Sequence, residues 1–107
     1  MPFKQATPDE IKRRLDAGEE LRIIDVRERD ERRIAHIAQA ELLPMSEIQS
    51  WWQTLPRDEE LVFMCHHGIR SAQVCRALSQ AGFEHLTNMR GGIDAWAATV
   101  DPSVPRY

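Results

Sequence analysis

The stretch "FMCHHGIRSAQV", Phe63 to Val74, passes from an apolar segment into a helical one, with a cysteine, two histidines, a glycine and an arginine at the junction. Just before it, "ELVFMC" has the length and composition of a buried strand ending at Cys65. Just after, "SAQVCRALSQAGF" reads as an amphipathic helix closed by Gly82, beginning near Arg70 and Ser71. His66, His67, Gly68 and Ile69 must therefore reverse the chain tightly around the Cys65 sulfur, with Gly68 supplying a positive φ. Successive N–H groups then point inward and the following helix aims its positive end at the same place, forming an anion-binding nest. Such surroundings, with a guanidinium beside them, favour a thiolate. Cys65 is thus expected to be the reactive thiol and the exposed one. Cys75 shares the inward stripe of the helix with Val74 and Leu78 and is expected to be buried packing.

Outward from this junction the chain alternates strands and helices. "TPDE" opens a first helix with Thr7 as N-cap, Pro8 at the first helical position and Glu10 completing a capping box; Gly18 stops it. "LRIIDV", Leu21 to Val26, reads as a strand covered on both faces. "RERDERRIAHI" reads as a solvated, charge-mixed segment with room for a helical turn. "AELLP" reads as a short strand, and "SEIQSWWQTL" as a helix whose stripe is Ile48, Trp51, Trp52 and Leu55. "HLTNM" is a last strand, "GGIDAWAATV" a turn into a closing helix with Trp96 inward, and "DPSVPRY" an extended strap over the surface. Such alternation implies right-handed crossovers and a mostly parallel sheet, where ligands sit beyond the carboxyl ends of the strands. The Cys65 loop lies there.

At 107 residues, one domain over residues 1–107 is expected. A net charge of −3 offers no broad basic face for nucleic acid. No secretory pattern opens the chain and no apolar run could cross a bilayer, so a cytoplasmic monomer without a membrane partner is expected. Two cysteines ten apart make neither a disulfide scaffold nor a C-x-x-C couple. Cys65, His66, His67 and Cys75 lack zinc-finger spacing, and adjacent histidines on a tight loop are expected to point apart, so neither a metal nor any other cofactor is assigned. His66 and His67 then line the pocket mouth or are merely solvated. His36 reads as a structural, hydrogen-bonding histidine.

With these residues in hand, the chain resembles the rhodanese-like sulfurtransferases over nearly its full length. "LRIIDVRE" is similar to their aspartate-valine-arginine strand end, "ERRIAHIAQAELLP" to their histidine-isoleucine segment, "CHHGIRS" to their active loop and "MRGGIDAW" to their Gly-Gly-x-x-Ala-Trp turn. The resemblance implies a rhodanese-like α/β fold, a five-stranded parallel sheet with helices on both faces. It also implies a persulfide-carrying cysteine, here Cys65, a loop arginine, here Arg70, and a supporting ion pair of Asp25 and Arg27 behind the loop. Ala35, Gln39 and Arg32 depart from the family pattern. The tail, "VDPSVPRY", resembles rhodanese domains fused behind adenylating enzymes that load sulfur-carrier proteins.

Loop length separates neighbouring classes. Phosphatases and arsenate reductases of this fold place five residues between cysteine and arginine; here there are four, a cradle sized for one extra sulfur atom. The implied function is sulfur transfer: the Cys65 thiolate takes the outer sulfur of thiosulfate or a persulfide, then passes it to cyanide, a biological thiol or a sulfur-carrier protein. Arg70 would orient the anionic donor, Gly68 and Ile69 act through their backbone, and Ser71 caps the helix or supports the loop. A non-enzymatic docking or sulfur-relay module is the second reading, which retention of Cys65 disfavours.

Overall fold

Thr7 starts the first helix as its side chain dictates: its hydroxyl accepts from the Glu10 N–H at 3.2 Å, and the Glu10 carboxylate accepts from the Thr7 N–H at 3.1 Å. Caps of this kind contribute about 1 kcal/mol. The computed structural model describes residues 2–107. Its elements are β1 (Lys4–Ala6), α1 (Pro8–Asp16), β2 (Arg22–Asp25), α2 (Arg29–Ile34), β3 (Ala40–Leu42), α3 (Ile48–Trp51), β4 (Leu61–Met64), α4 (Ile69–Gln80), β5 (Leu86–Met89) and α5 (Gly92–Thr99). Five strands form one parallel sheet in the order β1-β5-β4-β2-β3, the five-stranded parallel sheet expected.

Alternation along the central strands divides the interior in two. Ile24, Leu61, Phe63 and Leu86 face one side, where they pack with Trp51, Leu55, Val74, Cys75 and Leu78. Ile23, Val62, Met64 and Met89 face the other, against Ile11, Ile93, Trp96 and Ala97. Trp51 and Trp96 are both core residues, as expected, whereas Trp52 of the same expected stripe as Trp51 is half-buried against that core. Burial on both faces is what makes "RIID" and "LVFM" read as continuous apolar runs. The register sets Asp25 beside Met64 and Phe63 beside Asn88, so the carboxyl ends of β2, β4 and β5 lie level. Cys65 leaves the sheet from its central strand.

The secondary structure differs from the sequence reading in four places. β1 carries no apolar pattern and exists through its pairing with Thr87–Met89. The charged segment holds a six-residue helix, α2, that turns one carboxylate, Glu31, inward. The expected helix over "SEIQSWWQTL" is broken into a 3-10 turn at Met45–Glu47, the four-residue α3 and a second 3-10 turn at Trp52–Thr54. There the Ser50 hydroxyl donates to the Glu47 carbonyl and the Thr54 hydroxyl to the Trp51 carbonyl, both at 2.7 Å, competing with the helical ladder. α4 starts at Ile69, one residue before Arg70. Among the described residues, no helix is long and apolar enough to cross a membrane.

Candidate active site

Gly68 makes the reversal possible. It has φ of 95°, and a Cβ there would stand 3.0 Å from the Gly91 nitrogen. The turn aims donors at the Cys65 sulfur: the Gly68 N–H at 3.1 Å and the Ser71 N–H at 3.4 Å, with the Ser71 hydroxyl oxygen also 3.4 Å away. That hydroxyl's single proton goes to Asn88 Oδ1 at 2.5 Å, while Asn88 Nδ2 donates to the Gly68 carbonyl at 3.1 Å and to Gln5 Oε1 at 3.0 Å. Ser71 therefore supports the loop and does not cap α4, whose N-cap is Gly68. From behind, the first N–H groups of α5 bond the loop carbonyls, Ile93 to Cys65 at 2.9 Å and Asp94 to His66 at 3.1 Å. Replacing Gly68 with alanine is expected to cost about 1–3 kcal/mol, because alanine must adopt a left-handed backbone against a fixed neighbour. A shift in the urea midpoint at constant slope would register it.

Cys65 is not the exposed thiol the sequence reading expected. It is 1% exposed and Cys75 is 0% exposed. The two differ in surroundings: Cys65 faces backbone donors, whereas burial pushes the Cys75 thiol up to about 12.

Arg70 sits one residue inside α4, but its fork is already engaged. Nη1 donates to Glu31 Oε1 at 2.6 Å and Nη2 to Glu31 Oε2 at 2.8 Å. The Tyr107 hydroxyl donates to Glu31 Oε2 at 2.8 Å and accepts from Arg27 Nη1 at 2.9 Å. Arg27, fully buried, holds Asp25 through Nε at 3.0 Å and Nη2 at 2.7 Å, and gives a further Nη2 bond to the Ala35 carbonyl at 2.8 Å. Asp25, Arg27, Tyr107, Glu31 and Arg70 thus form one connected chain from the end of β2 to the loop. Sequence reading found the ion pair and the loop arginine but missed Glu31, Tyr107 and Asn88.

The histidines also depart from expectation. The rings of His66 and His67 stack at 3.9 Å, and His66 stacks in turn on Tyr107 at 3.8 Å with 5° between planes. They do not point apart, so the geometric ground for setting a metal aside is wrong: ligand atoms of His66, His67 and Asp94 lie within 4.8 Å of one another. Two of the three have partners, His66 Nε2 with the Tyr107 main-chain oxygen at 2.8 Å and Asp94 with Arg106 at 3.0 and 3.1 Å. His36 holds no interior position; it is exposed and lines a surface cavity with Arg29, Arg32 and Arg33.

The Arg70 bonds hold the Glu31 carboxyl at about 2, below its ordinary 4.5. A carboxyl depressed by folding stabilises the fold above its unfolded value and loses that contribution as pH falls toward its folded value. Wild-type stability is therefore expected to drop between pH 4.5 and 2 more steeply than that of Glu31→Gln. Parallel profiles in urea titrations over that range would contradict the pairing.

Residues 7–99 match the rhodanese-like domain family. The chain belongs to the rhodanese-like family. It is 41% identical over 103 residues to the "Probable adenylyltransferase/sulfurtransferase MoeZ" of Mycobacterium tuberculosis, covering 94% of this chain and 26% of that protein. It is 36% identical over 89 residues to a "Sulfurtransferase" of Allochromatium vinosum, covering 83% of each. The crystal structure of a rhodanese-like domain protein from Staphylococcus aureus superimposes with a TM-score of 0.83 at 30% identity, over 98% of this chain and 99% of that one. This rhodanese-like domain spans about a quarter of the length of the Mycobacterium protein it matches and most of the length of the Allochromatium one.

Proposed function

We propose that the protein is a sulfurtransferase whose Cys65 accepts a sulfane sulfur, carries it as a persulfide and delivers it to a thiol or a sulfur-carrier protein. One observation carries the reading: two backbone N–H groups at the start of a twelve-residue helix converge on the Cys65 sulfur. A thiolate or persulfide anion there gains fixed dipoles that need not reorganise during reaction. The chemistry is two displacements at sulfur: the thiolate attacks the donor's outer sulfur, and a second nucleophile then attacks the sulfur carried on Cys65. Asp25 and Arg27 support the network behind the loop, Ser71 and Asn88 brace it, and Gly68 and Ile69 contribute backbone. Arg70 enters this machinery as half of an ion pair with Glu31.

Incubation with thiosulfate or cysteine persulfide should add one sulfur mass to the intact protein at Cys65, and cyanide should remove it. Addition at Cys75 in the folded protein would overturn the assignment. With only four residues between Cys65 and Arg70, the same preparation should not hydrolyse aryl phosphates. Phosphatase activity through Cys65, without persulfide formation, would put the protein in another reaction class. The match to a quarter of an adenylyltransferase/sulfurtransferase favours a second use of the same persulfide, relay to a partner protein in trans.

A further inference from the structure

We propose that Glu31 is a specificity-determining residue of the Cys65 site, closing Arg70 to dianionic donors such as thiosulfate and leaving persulfides of small thiols as the preferred donors. The inference rests on the reading of Cys65 as a sulfur-accepting nucleophile. Thiosulfate brings two negative charges and a sulfonate whose oxygens call for a cationic fork. Three guanidinium groups of the network around the loop are each taken by a carboxylate: Arg27 by Asp25, Arg70 by Glu31 and Arg106 by Asp94. Arg70 gives one Nη to each Glu31 oxygen, so a sulfonate must displace an intramolecular carboxylate to take that edge of the guanidinium, and meets the Glu31 charge beside it if it comes to the Nε edge. The Tyr107 hydroxyl holds Glu31 in place, and that ring is itself pinned by His66 stacking and the Arg27 bond. The incoming sulfur meets the pair of N–H groups at Cys65, which serve a single sulfur atom and make no demand on the rest of the donor.

A persulfide R–S–SH needs nothing more. The Cys65 thiolate attacks its outer sulfur, a Sγ–S bond forms, and the donor's S–S bond breaks with its electron pair on the departing RS. That thiolate takes up the proton of the transferred SH and leaves as RSH, while Cys65 remains as the persulfide anion. No external oxidant or reductant is required, because the sulfane sulfur moves without change of oxidation state.

The test is the rate of Cys65 persulfide formation, read by quenched intact mass, for wild type, Glu31→Gln and Tyr107→Phe with thiosulfate and with cysteine persulfide. Removing one charge beside Arg70 should raise kcat/KM for thiosulfate on the order of tenfold. The gain should come through a lower KM and weaken with added salt, while the rate with cysteine persulfide changes less than about twofold. Tyr107→Phe should move the same ratio in the same direction by less. An equal gain with both donors, or no gain with thiosulfate in folded Glu31→Gln, overturns the proposal; if that variant does not fold, an unmoved ratio in Tyr107→Phe overturns it. Wild type loaded equally well by both donors would remove the specificity claim alone. Wild type loaded at Cys65 by neither donor would remove the sulfur-transfer reading and this inference with it.

Discussion

Cys65→Ser is expected to lose sulfur transfer by on the order of a thousand-fold or more, with the fold intact, while Cys75→Ala keeps the activity. Serine fits the space and can accept the same Gly68 and Ser71 N–H bonds, so the substitution removes sulfur chemistry without emptying the cradle. An alcohol neither ionises near neutral pH nor stores a sulfane sulfur. Burial does not distinguish the two thiols, since both are closed off from solvent. Electrostatics do: Cys75 lies among Leu78, Val74 and the other apolar residues of its face, and burial keeps it protonated, with a value of about 12. Donor-dependent mass gain should vanish in Cys65→Ser and persist in Cys75→Ala. A Cys65→Ser protein that still gains a cyanide-labile sulfur would move the chemistry elsewhere.

Local chemistry explains what could be read from the sequence. The Cys65 loop was legible because strand, glycine, arginine and helix are consecutive, so their geometry follows from neighbours in the chain. The buried strands "RIID" and "LVFM" were legible because both faces are covered and composition alone reports it. β1 was not, since "KQA" is a short, mostly exposed edge strand that exists only through its partner. Glu31 and Tyr107 were hidden for a different reason. Glu31 lies 39 residues from Arg70 and 76 from Tyr107, and nothing in "RERDERR" marks one carboxylate among the solvated charges as the one that turns inward. The proline-containing tail reads as a strap, and a strap's side chains find partners only once the fold has placed them. Long-range polar pairing thus decides the partners of Arg70, while local sequence decides the turn around Cys65.

That same network predicts a large cost for Arg27→Met, about 3–5 kcal/mol of folding stability. Arg27 is 0% exposed and Asp25 1%, so methionine would fill part of the volume while leaving Asp25 as a buried carboxylate with no cation. The Arg27 backbone N–H to Asp25 Oδ1 would survive at 3.0 Å, but the bonds from Nε and Nη2 would be lost. The Ala35 carbonyl and the Tyr107 hydroxyl would lose donors as well, loosening the tail from the strand end. For a domain whose total stability is of order 5–15 kcal/mol, this is a substantial share, and urea unfolding should show it as a lowered midpoint. The double variant Asp25→Leu/Arg27→Met separates loss of the pair from loss of packing. Removing both charges leaves no ion to desolvate, so the double variant should be more stable than Arg27→Met alone, with a coupling of about 1–3 kcal/mol. Additive losses, or a cost below about 1 kcal/mol for Arg27→Met, would show that Asp25 is satisfied without its partner and that the ion pair does not hold the network behind the loop.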